Sequence, residues 1–80
     1  MTGKTMTNDE LKVLVDMVRA YCPKDTRVDT GEKVVDSGAI GVNAAAMRLL
    51  AQYGLMEIYS DAGRRVRARW TAAGQELLNS

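Results

Sequence analysis

The sequence predicts a small α+β domain made of three helices, a two-stranded hairpin and a short closing helix. Three observations point there. A capped amphipathic segment opens the chain, an alanine- and leucine-rich run ends at Gly54, and beyond that glycine the apolar spacing changes from helical to twofold. Eighty residues bury only about 60–65% of their unfolded surface. One core is all such a chain can hold, so residues 1–80 are expected to form a single domain, with 1–7 as a flexible polar lead-in.

Thr7-Asn8-Asp9-Glu10 is a capping box, in which hydroxyl and carboxylate each satisfy an orphan backbone donor. The helix it opens carries Leu11, Leu14, Val15, Val18, Tyr21 and Cys22 at three- and four-residue steps, with Lys12, Asp16 and Arg19 on the other side. Pro23 cannot continue it and keeps Cys22 out of the α region, which ends the helix near Tyr21. Lys24-Asp25-Thr26 reads as loop, and Arg27-Val28 as at most one brief strand. Asp29-Thr30-Gly31-Glu32 repeats the capping logic and predicts a second helix over Thr30 to Ser37.

Gly38 to Gly41 reads as a turn, after which Asn43 caps a third helix over 44–53 that Gly54 stops. An earlier start at Ser37, with Gly38 and Gly41 inside, is the alternative. Met56 and Ile58 then alternate with Glu57 and Tyr59, Ser60 to Gly63 gives a turn, and Val66, Ala68 and Trp70 alternate with Arg65, Arg67 and Arg69. Thr71 caps the last helix, where Gly74 is a weak point. Parity assigns Trp70 to the core and leaves Tyr59 more open. Met17, Met47 and Met56 fall on apolar faces as packing residues.

Composition removes several function classes. With no histidine and one cysteine, the usual zinc sites, Ser-His or Cys-His nucleophiles and disulfide frameworks cannot be assembled. No enzyme activity, cofactor or metal is expected. Asp29, Glu32 and Asp36 are explained by capping and solubility, and Thr2-Gly3-Lys4-Thr5 lacks the upstream glycine and strand of a phosphate loop. No export signal and no membrane-spanning run are found, and Cys22 reads as a half-buried, unreactive thiol. A cytoplasmic protein is expected.

Leu49-Leu50-Ala51-Gln52-Tyr53-Gly54-Leu55-Met56 resembles the "L-x-x-x-G-L-[IVM]" junction after the recognition helix of winged helix-turn-helix proteins. Trp70-Thr71-Ala72-Ala73-Gly74-Gln75-Glu76-Leu77-Leu78 is similar to the "L-T-x-x-G-x-x-L-L" segment that follows the wing in MarR-like bacterial transcriptional regulators. The matching elements span roughly residues 34–78. The resemblance implies a winged helix-turn-helix with a three-helix core, a β-hairpin wing and a short C-terminal helix. It also implies a non-catalytic DNA-binding regulator of transcription, with helix 43–53 in the major groove and the wing on the backbone. Carried over by position, the nucleic-acid-binding residues are Asn43, Ala44, Ala45, Arg48 and Gln52 on the helix and Arg64, Arg65, Arg67 and Arg69 on the wing. The sequence departs from the family where the helix begins with three alanines in place of base-reading side chains.

The net charge of +1 conceals an uneven distribution. Six basic and seven acidic residues precede position 42, and five basic, all arginine, and three acidic follow it. Arg65, Arg67 and Arg69 share one strand face at a spacing of roughly 6.6–6.8 Å, which suits successive phosphates. The competing explanation is a solvated edge strand, paired in part with Glu57 and Asp61 and protected from aggregation by its charge. Two partners therefore stand as expectations: double-stranded DNA bound by a homodimer formed through the first or last helix, or a protein surface. In the second case the winged helix acts as an adaptor or as a small inhibitor of a nucleic-acid machine, of the mobile-element kind, and the alanine-rich third helix makes the contact.

Overall fold

A computed structural model describes residues 5–26, 30–63 and 65–80. Helix α1 (Asn8–Tyr21) is followed by strands β1 (Lys24–Thr26) and β2 (Lys33–Asp36), helix α2 (Gly41–Gln52), strands β3 (Met56–Ala62) and β4 (Arg65–Trp70), and helix α3 (Ala72–Leu78). The four strands form one antiparallel sheet in the order β1-β2-β4-β3. Register gives each face its chemistry. Val35 lies opposite Ala68 and Ala68 opposite Ile58, so these share the inner face with Val66, Met56 and Trp70. Asp36 lies opposite Arg67 and Glu57 opposite Arg69, which makes the outer face charged.

The helices pack over the inner face. Leu11, Val15 and Val18 from α1 and Ala44, Met47 and Leu50 from α2 join Val35, Val66, Ala68 and Met56 in one core. The α1 capping box forms as the sequence predicts: Glu10 N donates to Thr7 Oγ1 and Thr7 N to Glu10 Oε1. Met6 N donates to Tyr53 Oη at 3.0 Å, so the lead-in is tied to the end of α2 at that residue. Gly54 takes the left-handed φ of 75° that the stop signal requires. In α3, Gly74 is buried, and its close packing accounts for a poor helix former at this position. A Cβ there would run into the Leu55 carbonyl and the Trp70 ring, so only glycine permits this close packing. No helix among the described residues is long and apolar enough to cross a membrane.

Four expectations need correction. Residues 33–36 are strand β2, not part of a helix over Thr30 to Ser37. Val34 and Val35 are adjacent β-branched residues that favour a pleated backbone, and β4 offers them a free edge. Gly31, at φ 72°, breaks any helical first turn. Thr30 Oγ1 accepts from Glu32 N in a local turn. The helix-turn-helix pair implied by the resemblance is therefore not formed by these segments. Second, Lys24–Thr26 is strand rather than loop, paired with β2; Arg27-Val28 and the Asp29 cap lie outside the described residues.

Third, α2 starts at Gly41 with Ile40 as its N-cap and no side-chain cap, so Asn43 sits inside the first turn. The earlier start fails at Gly38, whose φ of 65° is not helical. Finally, β4 is flanked by β2 and β3 and is not an edge strand. Trp70 is half-buried against the core, as its parity predicts.

Candidate interaction surface

Helix α2 divides sharply between its two sides. Asn43, Ala44, Ala46, Met47 and Leu50 point into the core, Ala44 and Met47 with no exposure at all. Asn43 and Ala44 therefore cannot reach a base edge. Both lie three or four residues before Met47, itself three before Leu50, and so share the face that packs into the core. The outward side is set by the remaining three- and four-residue steps: Val42, Ala45, Leu49 and Gln52. Val42 is 68% exposed and the neighbouring Ile40 56%. Large aliphatic side chains left this open at the start of a helix form an unpartnered apolar surface. Ala45 keeps it flat.

Arg48 is half-exposed beside that surface, yet its guanidinium is committed. Its Nε and Nη2 donate to the two Asp61 carboxylate oxygens at 3.0 and 2.7 Å, and Nη2 also reaches the Gly63 carbonyl. This fork ties the hairpin tip to α2. A β-bulge at Tyr59 makes it possible. Ile58 pairs with Ala68 but Ser60 pairs with Arg67, so one extra residue shifts the parity of β3 and turns Asp61 toward the helix side. The Arg48 guanidinium holds the Asp61 carboxyl below the usual carboxylate range, mainly through these hydrogen bonds.

On the outer face of the sheet the arginine row exists as predicted, but it is already paired. Asp36, only 3% exposed, accepts from Arg65 Nε and from Arg67 Nε at 3.0 Å, and its Oδ1 also accepts from Gly38 N at 2.8 Å. The hydrogen bond from Arg65, aided by those from Gly38 and Arg67, outweighs burial and lowers the Asp36 pKa to about 2. Arg69 bonds Glu57 at 2.6 Å and Glu32 at 3.3 Å. Three arginines thus face three carboxylates.

Of the residues carried over from the resemblance, Ala45, Gln52, Arg65 and Arg69 are exposed. Arg48 and Arg67 are partly exposed and ion-paired, and Asn43 and Ala44 are buried. Arg64 lies outside the described residues. Sequence reasoning missed Asp36 as the organiser of the row, because a residue assigned to a helix has no cross-strand partner; a strand reading of Lys33 to Asp36 would have supplied one. It also missed Ile40 and Val42. The remaining chemistry is sparse: burial, with the Asp36 charge second, pushes the Cys22 thiol up and disfavours its reactive form. Among the described residues no group of three His, Cys, Asp or Glu could hold a metal. Comparison with family models, with curated proteins and with solved structures gives no match.

Proposed function

We propose that this chain is a non-catalytic binding module whose partner is another protein, docked on the outward side of α2. The observation that carries the reading is the exposure of Ile40 and Val42 beside Ala45 and Leu49, with no unpaired charge among them. Contiguous exposed apolar side chains on a small domain are characteristic of protein contacts. The matching partner surface is an apolar ridge or groove. Cytoplasmic placement belongs to the same proposal.

A second reading, duplex DNA binding in the regulation of transcription, is supported by the winged-helix resemblance of residues 49–56 and 70–78 and by the arginine row. It requires base readout from a helix whose outward side offers only Gln52 and a committed Arg48. Phosphate contact would compete with Asp36, Glu32 and Glu57 for the same guanidinium groups. The protein reading has no such obstacle.

A photo-crosslinking amino acid at Val42, compared with one at the equally exposed Val13 of α1, tests the proposal in the native host. A discrete protein adduct from position 42 alone is expected, and an adduct of twice the chain's mass would identify a second copy as the partner. Nucleic-acid adducts, or the same adducts from both positions, would overturn it.

A further inference from the structure

We propose that the cleft between the β1–β2 end of the sheet and α3 binds a small organic anion with a flat aromatic body. The cleft has a volume of about 480 Å³, within the range of small-molecule sites, roughly 300–1,000 Å³. None of its lining residues belongs to α2, so this inference stands or falls apart from the protein-partner reading.

The register of the sheet explains the composition of the cleft. Lys24 lies opposite Val35, and Lys33 is two residues from Val35, so both lysines emerge on the inner face beside it. Val35 lies opposite Ala68, two residues from Trp70. The two lysines line the cleft together with the apolar side chains of Val34, Val35 and Trp70, and Gln75 from α3 adds an amide. Because β1 is an edge strand, the lysine side stays open.

Charge selects the ligand. Lys24 and Lys33 are exposed, and neither meets a carboxylate among the described residues, in contrast to the arginines of β4. The other charges on the cleft, Glu32 and Arg69, pair with each other. A carboxylate or phosphate head would sit between the two ammonium groups. Trp70, held by the close approach of Gly74, presents the surface on which an aromatic body stacks. Inorganic phosphate alone would leave that wall unused.

Trp70 is the chain's single tryptophan, so its indole N–H resonance reports this cleft without ambiguity. Titration with 2-naphthoate and with 2-naphthyl phosphate should give a saturable shift with at least one of them, the stronger one identifying the head group. Binding should weaken at least fivefold for uncharged 2-naphthylmethanol and for the Lys24→Ala/Lys33→Ala variant. Both lysines are exposed, so the double variant keeps its fold, which far-UV circular dichroism verifies. No saturable shift with either anion, or equal affinity for the uncharged probe or for the double variant, would overturn the inference.

Discussion

Asp36→Asn isolates the charge that organises the outer face of the sheet. Asparagine keeps the shape and can still accept from Gly38 N, but it removes the carboxylate that Arg65 and Arg67 share. The native pKa of about 2, against an ordinary 3.8, corresponds to roughly 2 kcal/mol of stability at neutral pH. This is an upper figure. The Arg65 and Arg67 side chains are 58% and 38% exposed and regain water when the partner is lost. For a domain of this size, 1 kcal/mol moves the Tm by about 4–8 °C, so a fall of about 10 °C is expected. The pH dependence has a defined sign. Because the folded pKa lies below the unfolded one, the contribution is complete above about pH 4 and is lost as pH falls toward 2. Thermal melts of both proteins between pH 2 and 7 should therefore converge at the acid end. An Asp36→Asn melt within about 2 °C of the parent at pH 7, or an unchanged gap at pH 2, would show that the Asp36 charge does not stabilise the fold.

Other expectations follow from the same geometry. Gly74→Ala drives a methyl group into the Leu55 carbonyl and the Trp70 ring and should cost more than about 2 kcal/mol in urea unfolding, although alanine is the better helix former. Thr7→Ala removes the side-chain half of the capping box and should cost about 1 kcal/mol, read in the same way. Arg48→Ala frees the hairpin tip from α2, so amide exchange at Asp61 to Gly63 should accelerate while the Met47 and Leu50 amides stay protected. Val42→Glu should leave the melting curve unchanged, since the side chain is 68% exposed. In a chain carrying the photo-crosslinker at Ala45, the same substitution should abolish the protein adduct.

Local signals made α1, the body of α2, α3 and the hairpin legible. The α1 capping box, Pro23 and the Gly54 stop act within one turn of chain, and alternation along Val66, Ala68 and Trp70 fixed their burial. What could not be read was decided by pairing across sequence. The segment Lys33 to Asp36 carries a helix-start signal upstream, but the free edge of β4 and two valines won over it. That single change moved Asp36 from an exposed helical carboxylate to the buried partner of two arginines. The Tyr59 bulge had the same invisibility, because one extra residue in β3 leaves no composition signal yet redirects Asp61 from the wing arginines to Arg48. The start of α2 two residues before Asn43 was not legible either, and of the predicted contact residues on this helix only Asn43 and Ala44 turn out to be buried. Its first turn is uncapped by any side chain, so no cap residue marked it.

If the arginines of β4 are neutralised within the fold, as the proposal of a protein partner requires, duplex DNA should not bind. A fluorescence-anisotropy titration of a random 20-bp duplex at 50 and 200 mM salt tests it most directly. Three arginines engaged on phosphates would give a log–log salt slope near −2.7, from about −0.9 per contact. No saturation up to about 100 μM protein is expected at either salt concentration. Micromolar binding with a slope close to −2.7 would contradict it.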